Sequence, residues 1–143
     1  MITTSARGAA SVYATDLDGD GDNDVVSASY LDDKVAWYEN VGGGSFGPQQ
    51  VITTNADNVA SAYAADLDGD GDSDVVSASF LDDKVAWYEN GGGGVFGPEQ
   101  VITTSATGAA FVYATDLDGD GDADVLAALR KDSAVAWYEN LGP

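Results

Sequence analysis

The sequence predicts an all-β protein assembled from three similar sheet units, and three observations lead to this prediction. A repeat of 50 residues runs through the chain without a gap, and residues 1–50 differ from residues 51–100 at twelve positions. Short stretches of β-branched and small residues alternate with turns rich in Asp and Gly. No stretch shows an amphipathic helical period over about ten residues. We therefore expect a single repeat array over residues 1–143, with units 1–50, 51–100 and 101–143.

Four strands are predicted in each complete unit, as the first unit illustrates. SVYATDL (11–17) leads into an acidic loop, and DVVSASYL (24–31) follows that loop. After an Asp-Asp turn comes KVAWYEN (34–40), and a Gly-rich turn separates it from FGPQQVITT (46–54). Pro48 lacks a backbone N–H, which is typical of an edge strand. Four short antiparallel strands in one unit correspond to one blade of a β-propeller, so we expect three blades per chain.

The two ends of the array are predicted to be open. The third unit stops before its fourth strand would begin, and residues 2–4 resemble the tail of such a strand. A propeller ring usually contains about four to eight blades, so three blades do not close a ring alone. Open ends expose apolar faces, and head-to-tail contacts between such faces can form a ring. We expect the chain to associate with itself, with two copies giving six blades or three copies giving nine.

The close similarity of the units has more than one explanation. It indicates recent duplication, deliberate design or a consensus-like sequence. The alternative to self-association is that the chain is a fragment of a longer repeat protein.

Charge and composition exclude several classes of function. The formal net charge is −20, with 25 acidic residues against five Lys and Arg, which argues against nucleic acid and against anionic membrane surfaces. The chain has no Cys and no His, so disulfides, thiol catalysis and most zinc sites are excluded. No signal-peptide pattern is apparent. Fifteen of the acidic residues lie in the three acidic loops, residues 16–24, 66–74 and 116–124, so a local cation is the obvious counterpart.

The spacing of carboxylates within each acidic loop predicts a calcium site. Asp side chains occupy positions 1, 3, 5 and 9 of the loop, Gly21 occupies position 6, and Asp22 at position 7 can offer its carbonyl oxygen. Calcium accepts about six to eight oxygen ligands, whereas magnesium requires tighter octahedral geometry. An EF-hand loop would need Glu at position 12, where this chain has Ser or Ala. The alternative is a solvated acidic turn without an ion. With about one calcium per repeat, the predicted metal residues are Asp16, Asp18, Asp20, Asp22, Asp24, Asp66, Asp68, Asp70, Asp72, Asp74, Asp116, Asp118, Asp120, Asp122 and Asp124.

These motifs resemble a known repeat family. AADLDGDGDSDVVSASFLDDKVAWYEN (64–90) is similar to the VCBS/FG-GAP repeats, which also form the blades of integrin α-subunit propellers. The resemblance covers essentially the whole chain. It implies a β-propeller with calcium between the first and second strands of each blade, and an extracellular or cell-surface location for natural relatives. The family motif D-x-D-x-D-G-x-x-D is matched in all three loops, in the second by Asp66, Asp68, Asp70, Gly71 and Asp74.

The remaining recurrent motif is VAWYEN, at 35–40, 85–90 and 135–140. Its Trp and Tyr lie on opposite faces of a strand, and they would serve sugar stacking, contact with a protein partner or blade packing. We favour packing, with one face in the core and the other half-exposed, and we expect the Glu-Asn pair to shape the following Gly turn. No nucleophile–base pair is evident. The sequence therefore predicts a non-enzymatic calcium-binding scaffold or interaction module, with a protein as a further partner. The alternative is a calcium-dependent lectin that binds carbohydrate between blades.

Overall fold

A computed structural model describes residues 1–142 and contains three antiparallel sheets. The sheets have the strand orders β1-β2-β3-β4, β5-β6-β7-β8 and β11-β10-β9, and we call them the first, second and third blades. There is no helix in the described residues, which confirms the predicted all-β fold of blade-like sheets. The strands are β1 (Ala9–Thr15), β2 (Asp24–Ser29), β3 (Lys34–Tyr38), β4 (Gln50–Thr53), β5 (Val59–Ala65), β6 (Asp74–Ser79), β7 (Lys84–Tyr88), β8 (Gln100–Thr103), β9 (Ala109–Thr115), β10 (Asp124–Leu129) and β11 (Ala134–Tyr138).

All four strands predicted for the first unit differ from the structure at a boundary, and the second and third strands end at Ser29 and Tyr38, two residues before the predicted ends at 31 and 40. The first strand was predicted at 11–17 but runs from Ala9 to Thr15, because the chain leaves the sheet at Asp16. The fourth was predicted at 46–54, yet only Gln50–Thr53 pairs continuously with β3. Phe46 forms an isolated bridge to Asn40, and Pro48, which cannot donate to a sheet, lies between the bridge and the strand. Residues 2–4, predicted as the tail of a fourth strand, are not in a strand.

Strand register places each acidic loop at the tip of a hairpin. Thr15, the last residue of β1, pairs with Asp24, the first residue of β2. The same pairing joins β5 to β6 and β9 to β10. The carboxylates at the start and end of a loop are therefore brought to one end of the sheet.

The hydrophobic core lies between consecutive blades. Each blade has a forward face, directed at the blade that follows in sequence, and a rear face, directed at the blade before it. One buried cluster joins the forward face of the first blade to the rear face of the second, and another joins the second blade to the third. The forward face of the first blade consists of Leu17, Val26, Ala28, Val35 and Trp37, and the rear face of the second consists of Ala56, Val59, Ala62, Ala64, Val75 and Tyr88.

Both faces of the middle blade are therefore core. The Trp and Tyr of the VAWYEN motif do lie on opposite faces, since Tyr88 packs with the first blade and Trp87 with the third. The expectation that one of the two faces would be a half-exposed edge is wrong for the second blade, because Val76, Ala78 and Val85 on its forward face are fully buried and Trp87 alone is half-buried among these four residues. The reason is that a blade with two neighbours is covered on both sides.

The first strands of the three blades also contact one another directly. Tyr13, Tyr63 and Tyr113 form a ladder, with ring centroids 4.3 Å apart in the first pair and 4.6 Å in the second. The hydroxyl of Ser11 accepts a hydrogen bond from the backbone N–H of Ala62 at 3.0 Å. No helix among residues 1–142 is long and apolar enough to cross a membrane.

Candidate metal centre

Each acidic loop is a tight turn that depends on glycine. In the first loop Gly19 and Gly21 have φ values of +81° and +93°, a region that residues with a Cβ rarely adopt. The equivalent glycines of the other two loops are also at positive φ. The backbone therefore curls within a few residues and directs several carboxylates to the same place.

Hydrogen bonds within the loop hold this conformation. Asp16 accepts from the N–H of Gly19 at 2.7 Å with Oδ1 and from the N–H of Gly21 at 2.9 Å with Oδ2. Asp18 accepts from the N–H of Asp20 at 3.2 Å. The second and third loops repeat these bonds. Such side-chain-to-backbone bonds are a normal way for aspartate to stabilise a turn, and they leave further lone pairs on each carboxylate.

The aspartate at position 9 has a second role that the sequence did not reveal. Asp24 is fully buried, and its two oxygens accept from the N–H groups of Leu17 at 2.9 Å and Asn40 at 2.8 Å. Asp74 and Asp124 make the equivalent bonds. This residue therefore ties the start of the acidic loop to the end of the third strand, whether or not it also binds a cation.

Carboxylate oxygens from three aspartates converge in every loop. In each group the candidate ligand atoms lie within 4.8 Å of one another, so the three clusters can hold a metal ion. Oxygen-only donors of this kind fit a hard cation and are compatible with calcium. The groups are Asp16, Asp18 and Asp24 in the first loop, Asp66, Asp68 and Asp70 in the second, and Asp116, Asp118 and Asp124 in the third.

Not all predicted site residues join these groups. Position 5 enters the cluster in the second loop only, as Asp70, and position 9 enters in the first and third. The side chain at position 7 lies towards the Gly-rich turn after the third strand, where a Cβ on Gly92 would be 3.2 Å from Asp72 Oδ2. Its carbonyl oxygen as a ligand stays a prediction.

The pKa shifts in the loops come mainly from burial and hydrogen bonds, and repulsion between the clustered charges adds to them. The pKa of Asp18 is raised by partial desolvation and by the negative charges of Asp24 and Asp20, although the Asp20 N–H opposes the shift. Burial raises the pKa of Asp74 to about 6, against the hydrogen bonds from Asn90 and Leu67. In contrast, the Asn140 N–H holds the pKa of Asp124 below its usual value. A bound cation would offset the repulsion because it favours the ionised carboxylates.

An asparagine from the next blade completes the first two loops. Asn90 accepts from the N–H of Gly92 at 3.2 Å, which confirms that it shapes the Gly turn. Its Nδ2 also donates to the carbonyl of Leu17 in the preceding blade at 2.8 Å, and Asn140 donates to Leu67 at 2.6 Å. The sequence showed only that Asn recurs at this position, and a contact between residues 73 apart had no local signal.

Comparisons with known proteins agree with this architecture. The family described as FG-GAP-like repeat matches residues 16–77 and, in a second and overlapping match, residues 66–127. Each match begins at the first aspartate of one acidic loop and ends within the second strand of the following blade. A search of curated proteins finds no match.

Proposed function

Because the chain belongs to the FG-GAP-like repeat family, we propose that it is a non-enzymatic β-propeller repeat module that binds one calcium ion in each acidic loop. The observation that carries this proposal is the recurrence of one oxygen cluster at the same hairpin tip in all three blades. A catalytic centre combines groups in different roles, such as a nucleophile, a base and an orienting group. Equivalent carboxylate clusters favour a repeated structural ion instead.

The proposed role of calcium is to stabilise the loops. The chain carries a formal charge of −20, and three divalent ions, which bring +6, would reduce it to −14. An ion that binds only the folded state adds about 2.7 kcal/mol of stability when its concentration is about 100-fold above the dissociation constant. We also propose an extracellular location, where calcium-binding modules typically have dissociation constants of about 10⁻⁴–10⁻³ M, and we expect an affinity in that range.

Calcium titration of the metal-free protein tests this proposal. We expect three ions per chain by calorimetry and a melting temperature that falls by many degrees in EDTA. The variant Asp68→Asn keeps an oxygen that can accept from the Asp70 N–H but loses the negative charge, so we expect two ions per chain. Asp57→Asn, at an exposed position outside the loops, removes the same charge and should still bind three. A melting curve that is identical in calcium and EDTA would refute the proposal.

As a module of this kind the protein acts as a scaffold or interaction surface, and the partner we propose is a second copy of the chain. The support for it is the exposure of apolar residues on the rear face of the first blade and the forward face of the third. A ring of two copies would have six blades and a ring of three copies would have nine.

Carbohydrate binding is a second candidate because of one cavity. A space of about 130 Å³ lies between the second and third blades, lined in part by Trp87, Tyr138 and Asn140. At the interface between the first and second blades, the place that corresponds to this cavity is filled by Phe96, which packs edge-on against Trp37 with ring centroids 6.4 Å apart. The cavity therefore also resembles an unfilled part of the blade core. Calcium-dependent binding on a glycan array, lost in Trp87→Ala, would support the lectin, and a blank array would leave the scaffold.

A further inference from the structure

The two end faces of the array match the two sides of its internal interfaces. Val135 on the third blade is 79% exposed, whereas the equivalent Val35 and Val85 are fully buried against the next blade. Val12 on the first blade is 71% exposed, whereas the equivalent Val112 is fully buried against the previous blade. The chain therefore presents an uncovered forward face on the third blade and a rear face on the first blade that is uncovered around Val12 but not at Tyr38, and faces of these two kinds already pack together twice within the chain.

The third acidic loop lacks the contact that the other two loops receive from the next blade. Position 2 of every acidic loop is a leucine. Its side chain is 2% exposed in the first loop (Leu17) and 8% exposed in the second (Leu67), but 51% exposed in the third (Leu117). The carbonyls of Leu17 and Leu67 accept from Asn90 and Asn140, which belong to the following blades.

A matching donor is present at the other end of the molecule. Asn40 holds the position of Asn90 and Asn140, and among the described residues no blade lies before the first to receive its amide. Its Nδ2 donates at 3.1 Å to the backbone carbonyl of Asn23, which belongs to the same blade. Asn90 makes the equivalent bond, to Ser73, and the interblade bond as well, so the amide can serve both.

We propose that the forward face of the third blade docks on the rear face of the first blade of a second copy, and that Asn40 of that copy donates to the carbonyl of Leu117. This deepens the self-association put forward under the proposed function and rests on it. The junction joins an acidic loop of one copy to the end of β3 in the other. Association and completion of the third loop are thus one event.

Two substitutions on the forward face agree with burial of that surface. Leu126 stands where the other blades have Val26 and Val76. Phe111 replaces Ser11 and Ser61, whose hydroxyls accept from the next blade. Compared with the two internal interfaces, the proposed junction therefore has one hydrogen bond fewer and more apolar area. A face that stays exposed to water would favour polar residues instead.

Two variants with opposite defects test the docking. Val135→Asp places a charge on the forward face, and Val12→Asp places one on the rear face. Neither should disturb the single chain, since both side chains are exposed in it. In saturating calcium we expect the unaltered protein to be a dimer or trimer and each variant to be a monomer of 14.6 kDa. An equimolar mixture of the variants should form a heterodimer through the one intact junction.

Exposed residues of the middle blade provide matched control variants. Leu81→Asp and Val101→Asp alter exposed residues of the middle blade, which has both its neighbours, and should leave association unchanged. A monomeric unaltered protein with three bound calcium ions would overturn the docking but not the calcium proposal. If one face paired with itself, one of the two variants would still associate alone, and that result would also overturn the docking.

The mixture also isolates the contribution of Asn40. The working junction uses the rear face of the Val135→Asp chain, so Asn40→Ala in that chain should weaken the heterodimer about two- to tenfold. The same substitution in the Val12→Asp chain removes the same bonds within the blade but does not lie at the junction, and it should have no effect. Equal effects in both chains would overturn the assignment of Asn40.

Discussion

The second and third blades have closely related sequences but different surroundings. In the second blade, whose forward and rear faces are both covered, Val85 is fully buried and Trp87 is half-buried, but the equivalent Val135 and Trp137 of the third blade are exposed. The strand positions and the register of β6 against β7 recur in β10 against β11. Local sequence therefore determines the sheet, and the neighbouring blade determines whether its forward face is core.

This difference shows where the stability of the array resides. A single blade buries little apolar surface inside itself, because its side chains point alternately to two faces. The interfaces between blades supply the burial, as in other repeat proteins whose stability is a sum of unit and interface contributions. Substitutions at equivalent residues in differently covered blades test this difference.

The largest difference is expected for the equivalent tryptophans. Trp37 is 3% exposed and Trp137 is 46% exposed. Trp37→Ala should lower the free energy of unfolding by about 3–5 kcal/mol, because it empties a packed interface. At low concentration, where the chain is monomeric, Trp137→Ala should cost less than about 1 kcal/mol. Denaturant unfolding measures both, and equal losses would mean that the forward faces do not differ.

A smaller effect is expected at the buried aspartate of the middle blade. Asp74→Ala leaves the N–H groups of Leu67 and Asn90 without their acceptor in a buried place. In excess EDTA, where calcium plays no part, we expect a loss of about 2 kcal/mol. Asp57→Ala, at an exposed position, should stay within about 0.5 kcal/mol. If Asp74→Ala were as mild as this control, the two hydrogen bonds that Asp74 accepts would not stabilise the fold.

Much of the fold was predictable because the repeat carries it. The turns at Asp-Asp and at the Gly-rich segment, and four strands in each complete unit, followed from residue type and spacing. The fourth strand is shorter than predicted because Pro48 and the bridge at Phe46 keep residues 46–49 out of continuous pairing. Composition alone does not fix where pairing begins.

The clustering of aspartates at the candidate site was predictable, but the hydrogen bonds that support it were not. Asp16 and Asp18 converge as their spacing predicted. The burial of Asp24 under two backbone N–H groups depends on the third strand, which is distant in sequence. The Asn90 bond to Leu17 depends on how blades stack, and the sequence pattern of one unit does not contain that information.

The smallest effect concerns one side chain that differs between the first two blades. Glu99 accepts from Lys84 at 3.1 Å, whereas Gln49 at the equivalent position donates to Tyr38. Burial tends to lower the pKa of Lys84, but the hydrogen bonds that Lys84 donates to Glu99 and Asp82 outweigh burial and raise the pKa. This contribution to stability is present below the usual lysine pKa and is lost as the pH rises through the raised value.

The two reciprocal exchanges measure this contribution. Gln49→Glu should stabilise the protein at pH 7, and Glu99→Gln should destabilise it, each by about 0.2–1 kcal/mol. Both effects should shrink above about pH 11, where lysine becomes neutral. Unfolding free energies at the two pH values give the comparison, and an effect that persists at high pH would assign it to packing rather than charge.

Native mass spectrometry in calcium tests calcium binding and self-association together, because it counts chains and ions in one particle. If every loop holds an ion and every blade face is covered by another, the particle contains two chains with six ions, or three chains with nine. For two chains the protein mass is about 29 kDa, twice the 14.6 kDa of one chain. A population of single chains without bound calcium would contradict both the calcium sites and the self-association.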